Sequence, residues 1–226
     1  MARKTRAPRP PRPVQAPERR QQPKAAGFSR RATLTAAAAA LAVVAAIAIA
    51  LAFPRGSSSP PKPVAFAALP GLHTGAPPWN NGNGNLPDKL PLVHLDALSQ
   101  EGVALHIHQH LDVFVNGKRV TVPALVGIYA NSFITEVHTH DASGIIHLES
   151  PKNRQFSLGQ FFGEWGVRLS ASCLGRYCGN LHWWLNGKRQ PGNPALLVLS
   201  AHQEIAIASG DPPARIPSSY AFAAGL

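Results

Sequence analysis

Polar and hydrophobic residues alternate in several stretches of the second half of the chain, and this is the period of a β-strand. At 111–123 the sequence LDVFVNGKRVTVP places an Asn-Gly pair between two runs rich in valine. An Asn-Gly pair favours a two-residue hairpin turn. We therefore predict a hairpin that turns at Asn116 and Gly117 and places Val113 opposite Val120.

The predicted hairpin has one apolar face and one mixed face, because successive side chains of a strand point to opposite sides. The apolar face comprises Leu111, Val113, Val115, Val120 and Val122. The other face comprises His110, Asp112, Phe114, Arg119 and Thr121. Extending the first strand backwards at the same period adds His106 and His108 to the face of His110, away from the main apolar set.

A second histidine-rich stretch, EVHTHDASGIIHLES at 136–150, predicts two strands joined by a turn at DASG. In the register that this turn favours, His138 lies opposite His147 and His140 lies opposite Ile145, so the three histidines share one face. Side chains directly opposite each other have Cβ atoms about 4.5 to 5.5 Å apart. That separation is within reach of one ion at about 2.0 to 2.1 Å per nitrogen. The same register places Glu136 opposite Glu149, which is unfavourable unless a cation or an arginine lies between them.

The stretch FSLGQFFGEWG at 156–166 follows the helical period instead. Its apolar residues at i, i+3, i+4 and i+7 are Leu158, Phe161, Phe162 and Trp165. Ser157 and Gln160 form a capping box, and Gly166 marks the C-terminal end. We interpret this stripe as core packing and not as a set of ligands.

Further strands are predicted in LHWWLNGKRQ, which repeats the NGKR turn, and in LLVL and EIAIAS. The predicted fold class is α+β, with mainly antiparallel hairpins and one short amphipathic helix. A single transmembrane helix is expected to precede this domain at the N-terminus.

The charge and hydropathy of the N-terminal region predict a membrane protein. Residues 1–31 contain ten Lys or Arg and one Glu, which gives +9 of the +11 net charge of the whole chain. The run at 34–53 is apolar except for one threonine and is long enough to cross a bilayer core of roughly 30 Å. Because the basic flank stays in the cytoplasm, the C-terminal part is expected outside the membrane, and no nucleic-acid partner is expected.

An alternative for this region is export and release. FSRRATL at 28–34 resembles a twin-arginine signal, and Ala50, Leu51 and Ala52 would suit a cleavage site. The expected organisation is a disordered tail at 1–31, an anchor at 32–53, a Pro/Gly/Asn-rich linker at 54–101, a domain at 102–210 and a C-terminal tail at 211–226. Because the linker is rich in turn-forming residues, we expect no core before about Leu98.

The two cysteines, Cys173 and Cys178 in CLGRYC, are expected to form a disulfide that closes a short loop outside the membrane. Metal ligation and redox chemistry are the alternatives. The spacing is not the C-x-x-C of thioredoxin-like oxidoreductases, which makes redox catalysis the weakest of the three.

Five sequence blocks together resemble a recurring family of membrane-anchored bacterial proteins that is common in actinobacteria and has no assigned activity. The blocks are LHIHQHLDVFVNGKRVTVP, VHTHDASGIIHLESP, FSLGQFFGEWGVRLS, CLGRYC and HQEIAIASG. The resemblance covers about half of the chain, 102–210. It implies these domain limits and a position outside the cytoplasm, and it implies no catalytic residue.

The favoured function is the binding of a transition metal, zinc or copper, without catalysis. The candidate ligands are His106, His108, His110, His138, His140 and His147. The carboxylates that could complete or support the site are Asp112, Asp141, Glu136 and Glu149.

Two other functions stay open. The first is a metal-dependent hydrolase in which three histidines hold the ion and Glu136 or Glu149 acts as general base. The second is a metal-free cell-surface interaction or structural domain, whose histidines are hydrogen-bonded strand residues.

The membrane orientation can be tested by thiol labelling of intact cells. A cysteine introduced as Thr5→Cys should stay unlabelled by a membrane-impermeant reagent, because the basic flank is retained inside. Ser58→Cys, just beyond the hydrophobic run, should be labelled. Labelling of the first variant would overturn the orientation, and two free thiols at Cys173 and Cys178 would overturn the disulfide.

Overall fold

The computed structural model of the chain describes residues 59–130 and 132–226. These residues form an α+β fold with mostly antiparallel strands and two short helices. The helices are α1 (Leu86–Val93) and α2 (Leu158–Trp165). The strands are β1 (Ala97–Leu98), β2 (Leu105–Val115), β3 (Lys118–Val120), β4 (Ile128–Tyr129), β5 (Phe133–Thr135), β6 (Val137–His138), β7 (Ile145–Ser150), β8 (Cys173–Leu174), β9 (Tyr177–Cys178), β10 (Leu181–Leu185), β11 (Lys188–Gln190) and β12 (Glu204–Ser209).

The main sheet of the described residues has the strand order β11-β10-β12-β2-β7-β6, and β3 pairs with the end of β2. β2 is its longest strand and lies between β12, to which it is parallel, and β7, to which it is antiparallel. Two smaller sheets, β1-β5-β4 and β8-β9, accompany it. Because β2 is central, both of its edges form hydrogen bonds with neighbouring strands.

The structure confirms the predicted hairpin between β2 and β3. Val113 pairs with Val120, and the turn residues Asn116 and Gly117 have φ angles of 49° and 74°. These positive values suit a type I′ turn, for which asparagine and glycine are the favoured residues. The predicted apolar face is confirmed as well, because its five residues all belong to the main hydrophobic core.

Helix α2 also begins and ends where the sequence predicts. Ser157 accepts a hydrogen bond from the Gln160 backbone, the Gln160 side chain accepts one from the Ser157 backbone, and Gly166 follows in the left-handed conformation with φ 76°. All eight helical residues are buried, including Glu164 and both glycines. The helix is therefore enclosed on every side, whereas the apolar stripe alone predicts one buried face.

The expectation that no core forms before Leu98 is wrong. Leu86 and Val93 of α1 are fully buried, and Trp79 packs edge to face against Trp165 with ring centroids 5.7 Å apart. Helix α1 contains two prolines, Pro87 and Pro91. Because proline disfavours the helix interior, the helix propensity of this segment is low and does not predict α1. From residue 59 onwards the predicted linker is thus part of the same packed unit as the sheet.

The C-terminal residues also contact the sheet. Tyr220 stacks on His110 with ring centroids 3.9 Å apart, and Phe222 packs against His202. The disulfide between Cys173 and Cys178 is confirmed and joins β8 to β9. It closes the short loop that the sequence predicts.

No helix in 59–130 or 132–226 combines the length and the apolar character required to cross a bilayer. The predicted anchor at 32–53 and the basic tail at 1–31 lie outside the described residues.

Two leucines of α1 offer a matched test of the revised domain start. Leu86→Ala should lower the free energy of unfolding by about 2 to 5 kcal/mol, because Leu86 is fully buried in the core. Leu92→Ala, on the exposed side of the same helix, should change it by less than about 0.5 kcal/mol. Urea unfolding measures both, and equal small effects would mean that α1 is not part of the cooperative unit.

Candidate metal centre

Three neighbouring strands, β2, β7 and β6, bring the histidines of the two stretches onto one face. His147 on the middle strand β7 pairs with His108 on one side and with His138 on the other. The predicted neighbours His138 and His147 are thereby confirmed. Glu149, two residues after His147 on β7, pairs with His106 on β2. One continuous surface therefore carries ligands from both stretches.

His138 is the most constrained of these side chains. It is fully buried, and its Nδ1–H donates to the carbonyl oxygen of Thr135 at 2.9 Å. Because a carbonyl only accepts, this bond fixes the tautomer and leaves the lone pair on Nε2. Nε2 lies 3.2 Å from Nε2 of His140 and 3.8 Å from Oε2 of Glu149.

His140 reaches this cluster from outside the ladder. The paired residues of β6 and β7 are Val137 with Leu148 and His138 with His147, so the predicted pairing of His140 with Ile145 is wrong. The chain turns away at Thr139, which exchanges backbone hydrogen bonds with the segment 125–126. The His140 ring nevertheless lies edge to face against His147, with centroids 4.4 Å apart.

Glu149 is a buried carboxylate at the centre of the histidines. Its Oε1 accepts a hydrogen bond from Nδ1 of His147 at 3.1 Å and lies 3.3 Å from Nε2 of His106. Burial on its own would raise the pKa of Glu149, but the hydrogen bond from His147 and the proximity of His138 lower this pKa to about 2. The carboxylate is therefore ionised at neutral pH, and Nδ1 of His147 must be the donor.

Two of the histidines are neutral at physiological pH for a physical reason. Burial lowers the pKa of His138 to about 4. Burial, together with the neighbouring rings of His147 and His106, lowers the pKa of His108 to about 4. A neutral imidazole is the form that binds a metal, so these two rings need not lose a proton first.

Two compact groups of potential ligands result. The first comprises His138, His140, His147 and Glu149, and the second comprises His106, His108 and Glu149. Within each group, one ligand atom per residue lies within 4.8 Å of every other. These His and Glu side chains, of which His106 and His140 are partly exposed, could hold a metal ion.

The third predicted histidine of β2, His110, belongs to a separate group with Asp112 and Glu204. Its Nδ1 lies 2.8 Å from Oε2 of Glu204, and its Nε2–H donates to the Ser143 carbonyl at 3.0 Å. Burial raises the pKa of Glu204, and the hydrogen bond with His110 opposes this shift only in part. Arg119 pairs with Asp112.

Sequence analysis missed Glu204, which stands at the start of β12 next to His110 in the parallel pairing. The sequence marks Glu204 only as the charged first residue of the otherwise mainly apolar run EIAIAS. The pairing of β12 with β2 joins distant segments, and no local pattern predicts such a pairing.

Two of the predicted carboxylates lie outside all three groups. Glu136 hydrogen-bonds Arg154 and Ser150, although its backbone carbonyl still accepts from the Glu149 amide as the register requires. An arginine therefore neutralises one of the two facing glutamates. Asp141 lies in the turn after β6, where hydrogen bonds from the Ser143 side chain and from the Ser143 amide lower its pKa.

Comparison with protein-family models, with curated proteins and with solved structures gave no match.

The buried His138 should make the stability of the metal-free chain depend on pH. The unfolded state takes up a proton near the ordinary histidine pKa of about 6.5, whereas folded His138 does so only near pH 4. Between these values the unfolded state binds more protons, so stability falls as the pH drops through this window. From pH 7 to pH 5 the loss from His138 should be about 2 kcal/mol, measured by urea unfolding with a chelator present.

Two asparagine variants control this measurement. His138→Asn keeps a donor for the Thr135 carbonyl but has no imidazole, and it should lose about 2 kcal/mol of the pH dependence. His94→Asn makes the same change at an exposed histidine outside the cluster, and it should behave like the wild type. An unchanged pH dependence in His138→Asn would contradict the burial effect.

Proposed function

We propose that the domain binds a transition-metal ion through His138, His140, His147 and Glu149. The observation that carries this proposal is the buried His138 ring. Its Nδ1–H donates a hydrogen bond to the Thr135 carbonyl, and its unprotonated Nε2 lies 3.2 Å from Nε2 of His140. Metal-binding histidines are oriented in this way, with the second ring nitrogen bonded to a carbonyl or carboxylate.

The ligand set favours zinc or copper(II). Imidazole nitrogen suits both ions, and one carboxylate oxygen completes a set of three nitrogens and one oxygen. Two ligands of a tetrahedral ion with bonds of about 2.0 to 2.1 Å lie about 3.3 Å apart. The separations of Nε2 of His138 from Nε2 of His140 and from Oε2 of Glu149, 3.2 and 3.8 Å, are close to that value.

The proposed role is binding without catalysis. Four protein ligands complete a tetrahedral shell, and this is the arrangement of sites that hold a metal and do not activate water. Neither glutamate that a hydrolase would use is suited to act as general base. Glu136 is paired with Arg154, and the pKa of Glu149 is lowered to about 2, too low for a base at neutral pH.

We further propose that the domain lies outside the cytoplasm and is tethered to the cell membrane by the hydrophobic run 34–53. The length of that run supports the anchor, and the disulfide between Cys173 and Cys178 supports an oxidising compartment. If the N-terminal region is a cleaved export signal, the same domain is released on that side of the membrane.

Metal binding can be tested on the full chain, purified in detergent without a histidine tag and without chelator. Elemental analysis should find at least one zinc or copper ion per chain. His140→Asn should weaken zinc or copper(II) binding about tenfold or more, because even the loss of an outer-shell partner has effects of this size. Isothermal titration measures the affinity.

His140 suits this test because its side chain is 42% exposed, so its replacement removes a ligand with little effect on the core. His94→Asn is the control with the same substitution, and it should bind like the wild type. Equal weak binding by all three proteins would refute the metal site and favour the interaction-domain alternative.

A further inference from the structure

Glu149 is shared by the two ligand groups on the histidine face. The first group adds the three histidines of the β6–β7 region to it, and the second adds His106 and His108 of β2. A carboxylate has two oxygens and can ligate one ion through each of them. The position of these oxygens relative to the two groups therefore decides whether one or two ions fit.

The two oxygens of Glu149 lie near different sets of ring nitrogens, although Oε1 also accepts the hydrogen bond from Nδ1 of His147 in the first group. Oε2 lies 3.8 Å from Nε2 of His138 in the first group. Oε1 lies 3.3 Å from Nε2 of His106 and 3.9 Å from Nε2 of His108 in the second group. Each separation is close to the distance of about 3.3 Å between two ligands of one tetrahedral ion.

Each group also contains a buried ligand atom without a hydrogen-bond partner among the described residues. These atoms are Oε2 of Glu149, which faces the first group, and Nε2 of His108 in the second group. Both side chains are more than nine-tenths buried. An unsatisfied buried polar atom destabilises the folded state, so a cation bound at each of these atoms would be favourable.

We propose that Glu149 bridges two metal ions, the first bound by His138, His140 and His147 and the second bound by His106 and His108. This rests on the proposed function and deepens it. The nitrogen-rich shells select zinc or copper(II) for both ions. Metal pairs of this kind lie about 3.5 to 4 Å apart.

The two ions differ in their access to exchangeable ligands. The first has four protein ligands and is closed. The second has three, which leaves a coordination position for water or an anion. This second ion lies beside His106, whose side chain is 50% exposed.

The group around His110 is a poorer candidate for the second ion. Both ring nitrogens of His110 already have partners, Glu204 and the Ser143 carbonyl. Asp112 is paired with Arg119. This group also contains a buried oxygen, Oε1 of Glu204, that has no partner in the described part of the chain. An ion there would nevertheless have to displace both partners of its one imidazole, whereas in the second group the unpartnered atom is itself an imidazole nitrogen.

Zinc stoichiometry tests the bridge. The full chain in detergent, saturated with zinc and measured by native mass spectrometry, should carry two ions. His106→Ala and His140→Asn each remove one half-exposed ligand from a different group, and each should lower the count to one. His94→Asn should leave it at two.

Copper(II) supplies a second readout that does not depend on counting. Two copper(II) ions at about 4 Å should give a dipolar-coupled paramagnetic resonance spectrum. His106→Ala should convert this spectrum to that of an isolated ion. The control variant His94→Asn should retain the coupled signal.

The outcomes separate this inference from the proposed function. No bound ion in the wild type would overturn both. One ion, lost or weakened in His140→Asn, would uphold the proposed function and overturn the bridge. Two uncoupled ions, with a count that His106→Ala leaves unchanged, would also overturn the bridge.

Discussion

An ionised carboxylate removed from water costs several kcal/mol unless donors or cations surround it, and Glu149 imposes this constraint on the sheet. Its strand, β7, lies between β2 and β6, so histidines approach the carboxylate from both sides. A shift of register by one residue would turn Glu149 towards the opposite, apolar face of the sheet. The strand register and the histidine cluster therefore depend on each other.

The opposite face of the same strands explains why the register is firm. Ile146 and Leu148 alternate with His147 and Glu149 along β7, and they lie in the core that also contains α2. All six residues of β7 are buried, whereas antiparallel strands commonly have one face exposed to solvent. Packing on the apolar side thus holds the polar side in place, as a rigid scaffold does for a preorganised site.

Local chemistry explains which parts of the fold could be predicted. The Asn-Gly turn, the capping box of α2 and the pairing of His138 with His147 all follow from residues close together in sequence. Helix α1 could not be predicted, because its prolines read as breakers and its burial depends on distant partners.

The candidate site was predictable to the same extent. Its histidines follow from strand period and register, and the role of Glu149 follows from its place two residues after His147. The position of Glu204 beside His110 and the ion pair of Glu136 with Arg154 depend on contacts that no short window of sequence contains. Long-range pairing is the step at which pattern-based inference stops, because many partners satisfy the same local period.

The parallel pairing of β2 with β12 favours one order of assembly for the sheet. Its partners His110 and Glu204 are 94 residues apart, whereas Gln109 and Ile146, across the β2–β7 ladder, are 37 apart. Closing the longer loop costs more entropy, and distant pairings slow folding. The histidine-bearing strands can therefore meet first, from one continuous segment at 105–150. If the proposed site binds its ion at that stage, the ion would hold β2 and β7 together before β12 joins the sheet.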